Sequence, residues 1–270
     1  MKWSSKYMKS FYMGIDEAMQ YRTNFMLGIV SIVFPITIQI FIWNAVYMND
    51  HEKLVYGFSY SQMIVYTLLS AIVSKFIASE GFEWEVNDDI KNGGLNKYLI
   101  KPIGYFEYRI SCCMGKKTPQ SIIIFILIVT ILLISNIYLG QAIVISRIVS
   151  FFVSIVLATL LNILIVYCVS TVAFWISDAG SFFTISYLVV NIFSGGVFPM
   201  EIFGDKLNSI FNALPFKYTI YYPVTIINGK LDQKYIIVVL LLQVFWIIVL
   251  KKTAEALWNF GMKNYTAIGG

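Results

Sequence analysis

Six runs of uncharged residues, most of them long enough to cross a lipid bilayer, dominate this chain. Between Arg22 and Lys251 these runs contain 27, 21, 29, 30, 22 and 16 residues in chain order. A helix needs about 20 mostly apolar residues to cross a hydrocarbon core of about 30 Å. Backbone that cannot reach water must be hydrogen-bonded internally, which favours helices there. The runs therefore predict an all-α integral membrane protein with six transmembrane helices. The last run is too short to cross by itself, so flanking residues must add length or the lysine side chains must reach out to the headgroups.

The composition supports the same class of protein. The 270 residues are 58% hydrophobic and 13% charged, with a mean hydropathy of +0.73. Soluble domains carry about 25% charged residues, and a soluble fold of this length could not bury so much apolar surface. The first 24 residues hold four basic residues but no apolar stretch before Phe25, so we expect no cleavable signal peptide. We treat residues 1–270 as one domain.

Residues 1–22 predict an amphipathic helix that lies in the headgroup region without crossing the bilayer. Lysines and acids occupy one part of this helix, and an apolar face forms at helical spacing on another. That face consists of Trp3, Tyr7, Met8, Phe11, Tyr12, Ile15, Ala18 and Met19.

Residues 80–102 form a polar island between two apolar runs. Five acids come first and three lysines follow, an order that suits the dipole of one helix, or of two short helices separated at Gly93-Gly94. Apolar residues recur on one side and predict a stripe that could dock a soluble partner. The stripe is Val86, Ile90, Leu95 and Leu99. A solvated loop between two spans is the alternative.

Residues 194–232 are too apolar for a water-exposed loop and too interrupted for a span. Half of the six prolines lie here, close to a glycine pair. Interrupted backbone at membrane depth is tolerated where protein buries it or where it lines a cavity. We therefore predict two short re-entrant helices in the outer leaflet before the last span, with a loose outer loop as the alternative. The residues that carry this prediction are Gly195, Gly196, Pro199, Pro215 and Pro223.

Basic residues predict the orientation, because they concentrate on the cytoplasmic side of membrane proteins. With Lys75 left aside, 13 Lys and Arg lie in the N-terminal segment, the island with its continuation, and the C-terminal tail, against 6 in the other connections. Both termini and the island are therefore predicted to be cytoplasmic, and His51 to lie outside.

Several kinds of chemistry find no support in the sequence. It contains no phosphate-binding G-x-x-x-x-G-K-[ST] motif, no H-E-x-x-H and no G-x-S-x-G. The single histidine and three scattered cysteines predict neither a metal site nor a disulfide framework. Acids are missing from the spans, unlike in most ion-coupled pumps. The polar span residues are expected to join helices, and they are Asn24, Gln39, Asn44, Asn162 and Asn191.

Two stretches resemble a known family. DIKNGGLNKYLIKP (Asp89–Pro102) resembles the coupling segment of ABC-2 type permeases. SGGVFPM (Ser194–Met200), LPFKYTIYYP (Leu214–Pro223) and NGK (Asn228–Lys230) resemble their re-entrant signature. The closest pattern is the bacterial branch with daunorubicin-type and antimicrobial-peptide exporters. Many members carry a Glu-Arg pair before the coupling glycine, where this chain has Asp88-Asp89-Ile90-Lys91.

The resemblance implies a permease subunit of an exporter in the bacterial cytoplasmic membrane. It would not itself be an enzyme: a separate ABC ATPase would bind ATP and Mg²⁺. A second permease, identical or related, would complete the pathway for a small-molecule, lipid or peptide substrate among membrane lipids, with no nucleic acid as partner. The residues expected to couple to the ATPase are Val86, Asp89, Ile90, Lys91, Gly93, Leu95, Leu99 and Pro102. A channel or secondary carrier is the main alternative, and a membrane enzyme or scaffold is less well supported.

Overall fold

The structure, a computed structural model, describes residues 3–48, 53–79, 81–139, 145–176 and 178–265. These residues are mostly helical, and within them the nearest approach to a β-structure is one isolated bridge between Val55 and Phe58. The prediction of an all-α integral membrane protein is confirmed. His51 and Glu80, which entered the predictions above, lie outside the described residues.

The chain forms eleven α-helices within the described ranges, joined by turns and three short 3₁₀ segments. They are α1 (Trp3–Gln20), α2 (Arg22–Tyr47), α3 (Tyr60–Ile77), α4 (Phe82–Lys91), α5 (Asn96–Leu99), α6 (Tyr105–Leu139), α7 (Ile145–Ser170), α8 (Gly180–Phe193), α9 (Gly204–Asn212), α10 (Tyr221–Ile227) and α11 (Gln233–Met262). The 3₁₀ segments are Thr171–Phe174, Met200–Phe203 and Phe216–Tyr218.

Five helices in the described part of the chain are long and apolar enough to cross a membrane: α2, α3, α6, α7 and α11. The predicted fifth span is shorter than its 22-residue uncharged run suggested, because α8 has 14 residues and ends before the turn at Ser194–Gly196. At 1.5 Å per residue, α8 covers about 21 Å, less than the hydrocarbon core. The number of full crossings therefore stays a prediction. By contrast, α11 has 30 residues and gains the needed length from its flanks.

The helices pack around two apolar clusters. The larger one lies between α3, α7, α10 and α11 and includes Tyr66, whose hydroxyl donates to the Gly195 carbonyl at 2.7 Å. The smaller one joins α4 to the ends of α6, α7 and α11. Most of α2 stays exposed along its length, as expected for a helix that faces lipid.

The N-terminal helix packs directly on α6. A Cβ at Gly14 would overlap with the Cys112 carbonyl, and one at Gly115 would overlap with the Phe11 carbonyl, so the two backbones are in contact. Met8, Tyr12 and Met19 remain exposed on α1. This arrangement fits the predicted interfacial helix, which keeps one face for lipid headgroups.

Candidate functional site

The polar island forms two short helices joined by a turn, and we call this segment, residues 82–102, the hairpin. Helix α4 ends at Lys91, a turn follows over 92–95, and α5 begins at Asn96. Gly93 has a φ of +73°, and a side chain at Gly94 would overlap with the Asp89 carboxylate. Of the two arrangements that the sequence left open, the structure has the pair of short helices that separate at the two glycines.

The apolar stripe of this hairpin is mostly buried, and its prediction as an exposed docking surface is wrong for three of its four residues. Val86, Ile90 and Leu95 are buried in the smaller cluster, against Tyr167 and its neighbours on α7. The stripe is covered by the chain's own long helices and not by a soluble partner. Helices α6, α7 and α11 have 35, 26 and 30 residues, and their ends provide the covering surface.

Single exposed residues occur at 84, 88, 92 and 97, but the longest exposed run is residues 99–102, which we call the tip. Leu99 and Ile100 are 55% and 83% exposed, and Lys101 and Pro102 are exposed as well. The end of the tip and the residues that follow it are hydrogen-bonded to α1. The Lys6 ammonium donates to the Pro102 carbonyl at 3.1 Å, and the Gly104 N–H donates to the Tyr7 hydroxyl at 3.2 Å. Apolar side chains on an otherwise charged surface commonly mark a contact with a partner.

A buried cluster of charges fastens α4 to α6. The Arg109 guanidinium forms ion pairs with the carboxylates of Glu85 and Asp89, and it also donates to the Glu85 carbonyl at 3.2 Å. The Tyr105 hydroxyl donates to Asp89 at 2.8 Å and accepts from Arg109 Nε at 3.1 Å. The Asp89 and Arg109 side chains are 5% and 10% exposed. A buried pair with this many hydrogen bonds fixes the relative position of two helices, since losing either partner leaves a buried charge uncompensated.

Lys116 extends the cluster to a third helix. Its ammonium lies 2.5 Å from Glu85 Oε1 and 2.6 Å from Glu17 Oε1 on α1. Sequence reasoning missed this cluster, although a signal was present. Glu85 and Asp89 are four residues apart on one helix, and Arg109 and Lys116 are seven apart on the next, so that each pair lies on one helical face.

The end of α3, just before the hairpin, is also fixed. The buried Lys117 ammonium donates to the carbonyls of Phe76, Ile77 and Ala78 at 2.6, 3.1 and 2.8 Å. Asn162 on α7 donates to the Ile77 carbonyl at 3.0 Å, as expected for a polar span residue that joins helices. A cation at this position satisfies carbonyls that have no partner within the helix and complements the helix dipole.

Residues 194–232 fold into short elements and contain no helix long enough to span a membrane. Helices α9 and α10 are the two that the sequence predicted, and 3₁₀ segments follow Pro199 and Pro215 directly. Pro223 lies in the first turn of α10, where a missing N–H costs little. Because Gly195, Gly196, Pro199, Pro215 and Pro223 are all buried, the loose-loop alternative is wrong. The placement of residues 194–232 in the outer leaflet stays a prediction.

A buried lysine lies at the centre of residues 194–232, which we call the outer segment after their predicted side of the membrane. Lys217 is 3% exposed, and its ammonium donates to the side-chain oxygens of Asn208 at 2.5 Å and Asn212 at 2.6 Å. It also lies 4.5 Å from the ring centre of Tyr221. Burial disfavours the charged form and lowers the pKa of Lys217 to about 8, which nearby Glu201 offsets in part. The contacts join α9 to α10.

A cavity of about 90 Å³ lies between α3, α7 and α8. Ser74, Asn162, Asn191 and Thr219 contribute polar groups to its wall. Ser74 Oγ is buried and has no hydrogen-bond partner in the described structure. No cluster of three or more metal-binding side chains occurs in the described ranges.

Comparison with known proteins assigns the chain to a family. A family model described as "ABC-2 family transporter protein" matches residues 33–269. A comparison with curated proteins finds no match. The resemblance inferred from the hairpin and the outer segment is thereby confirmed at the level of the family. The closer likeness to daunorubicin-type exporters stays a prediction.

Proposed function

Because the chain belongs to the ABC-2 family of transporter proteins, we propose that it is the permease subunit of an ABC exporter driven by a separate ATPase. The single observation that supports this best is the α4–α5 hairpin. It is fixed to three helices of the bundle and ends in an exposed tip of apolar and basic residues. An element that is held against several helices can transmit the movement of a partner bound at its exposed tip to the membrane helices.

The buried and the exposed residues of the hairpin have different roles in this proposal. Val86, Ile90 and Leu95 hold the hairpin against the ends of α6, α7 and α11, Asp89 pairs with Arg109 on α6, and Gly93 allows the turn. Leu99, Ile100 and Pro102 form the surface that contacts the ATPase, and Lys91, half-buried at the end of α4, lies between the two groups.

Movement at the tip reaches the bundle by three routes. Arg109 connects α4 to α6, Lys116 connects α4 to α1, and Lys6 connects the exit of the tip to α1. Each contact includes a charged donor, which makes it stronger than a neutral hydrogen bond. ATP-driven closure of the ATPase would therefore move α1 and α6 together with the hairpin.

The remaining parts of the proposal follow from the family and the charge distribution. Both termini and the tip face the cytoplasm of a bacterial cell, and ATP and Mg²⁺ bind to the ATPase partner. A second permease subunit, identical or related, completes the pathway. A small-molecule, lipid or peptide substrate moves outward between the two subunits.

The test changes the tip without touching the buried stripe. An apolar anchor at the centre of an interface often contributes about 2 kcal/mol or more, roughly thirtyfold in affinity. Leu99→Asp and Ile100→Asp should therefore reduce co-purification of the ATPase at least thirtyfold and abolish stimulated ATP turnover. Leu54→Asp is the matched control, because Leu54 is 68% exposed but lies on the predicted outer side.

Normal ATPase binding and turnover in both tip variants would disprove the contact surface. A chain that transports its substrate in vesicles without any ATPase would instead support a channel or secondary carrier.

A further inference from the structure

Two cavities lie on either side of α8 and share a wall. The polar cavity already described lies between α3, α7 and α8. A second, more open cavity of about 310 Å³ lies between α7, α8 and α11, and Pro215 and Phe216 also contribute to its wall. Both cavities are lined by Ile165, Val169, Ser186 and Val190. We call the two cavities together the α7–α8 seam.

The polar half of the seam offers hydrogen bonds. Ser74 Oγ is buried without a partner in the described structure, which costs free energy unless a ligand or water pairs with it. Ser186, Asn191 and Thr219 place further polar side chains in the same wall. Among the described residues that line this cavity, none is Lys or Arg. An anionic headgroup would therefore find no cation to bind in this wall.

The apolar half suits a hydrocarbon chain. Its described lining includes Ile185, Val189 and Leu250, and almost all of its surface is carbon. Such a wall offers water no hydrogen bonds, so an alkyl chain can fill the space and gain van der Waals contacts with the wall. The two halves are direct neighbours, because Ile165, Val169, Ser186 and Val190 line both of them.

We propose that the α7–α8 seam binds an amphiphile that has an uncharged, hydroxyl-bearing headgroup and an alkyl chain. The headgroup bonds to Ser74 and its neighbours, and the chain lies against Val189 and Leu250. This inference rests on the proposed transport function, because it names the class of substrate that the permease moves. It commits to an amphiphile and not to a helix of a second subunit.

The first measurement uses the full chain in phosphatidylcholine nanodiscs. The probe is a monoacylglycerol with a photoreactive diazirine in its acyl chain, and the cross-linked residues are mapped by mass spectrometry. Labelling should concentrate on α8 and α11 near Val189 and Leu250. Unlabelled monoacylglycerol should compete at about a tenfold lower concentration than the methyl ester of the same fatty acid, which lacks hydroxyl groups.

Matched variants separate the seam from the lipid-facing surface. Val190 lines both cavities, so Val190→Trp should lower labelling at least tenfold, whereas Leu188→Trp on the exposed face of the same helix should not. Ser74→Ala removes no hydrogen bond of the described structure and should weaken binding of the probe three- to tenfold, about one hydrogen bond. It remains a valid test if Val190→Trp does not fold.

Three outcomes would overturn the inference. They are equal labelling of the Val190 and Leu188 variants, labelling spread evenly over α2, and efficient cross-linking of Val189→Cys to a second copy of the chain. The measurement needs no ATPase. A chain that binds the probe at the seam but never stimulates an ATPase would refute the proposed function alone, and a coupled permease without seam labelling would refute this inference alone.

Discussion

Arg109 is expected to control whether the coupling hairpin stays folded against the bundle. Its guanidinium is paired with two carboxylates, and the Asp89 side chain is 5% exposed. Arg109→Gln would remove the closest cation from the buried Asp89 and leave it only the exposed Lys97 ammonium at 3.5 Å, whereas Glu85 would keep Lys116. Breaking a buried pair in this way costs about 3–5 kcal/mol. We expect that cost to appear locally, because the hairpin is a small unit whose turn depends on Asp89.

The stability that the hairpin loses determines how much faster its backbone N–H groups exchange hydrogen with the solvent. Backbone N–H groups of the turn, including Leu95 N to Asp89 O at 2.9 Å, are protected only while the hairpin is folded. A loss of 3–5 kcal/mol raises the open population by a factor of roughly 150 to 4,000. Hydrogen exchange of residues 86–99, measured by mass spectrometry on the full chain in detergent, should accelerate by at least a hundredfold in Arg109→Gln.

The control and a rescue make the measurement decisive. Arg147→Gln removes the same type of side chain from α7, where Arg147 donates to the Ile226 carbonyl at 3.3 Å, far from the hairpin in the fold. It should leave exchange over 86–99 unchanged. Adding Asp89→Asn to Arg109→Gln removes the orphaned charge and should recover part of the protection. Unchanged exchange in Arg109→Gln would refute the idea that the buried charges hold the hairpin.

Two further predictions concern the outer segment and the topology. Because the folded-state pKa of Lys217 is lowered to about 8 from 10.5, the unfolded chain binds more protons between these values, so this group's contribution to stability should rise as the pH rises from 8 to 10.5. The melting temperature of the wild type minus that of Lys217→Met should increase from pH 7 to pH 10, whereas a constant difference would mean that Lys217 does not titrate there. In a background without the three native cysteines, Leu54→Cys should be labelled from outside the cell and Asn92→Cys should not. Strong outside labelling of Asn92→Cys would reverse the predicted orientation.

The sequence predicted where helices and turns lie better than it predicted which of their residues are buried. Uncharged runs located the long helices, Gly93-Gly94 located the hairpin turn, and Pro199 and Pro215 located breaks in the outer segment. These features act locally, through backbone conformation or through transfer to lipid. The uncharged run of residues 179–200 predicted too long a helix. The glycines after Ser194 end α8 early, although the following residues are still mostly apolar.

The error about the hairpin stripe has a different cause. A helical stripe shows that one face avoids water, but it does not show whether a partner or the same chain covers that face. Here the ends of α6, α7 and α11 cover Val86, Ile90 and Leu95. The Arg109 cluster was missed for a related reason, since pairing across two helices depends on how they are packed and not on spacing within either one.

The contact between Gly14 and Gly115 has a consequence for the membrane itself. With no side chain between the two backbones, α1 and α6 cannot slide past each other without losing their packing, so they move as one body. In the predicted orientation, the exposed Met8, Tyr12 and Met19 would then travel through the headgroup layer of the inner leaflet whenever the N-terminal end of α6 moves. We therefore expect the lateral pressure and lipid order of the inner leaflet to affect the work of each conformational cycle.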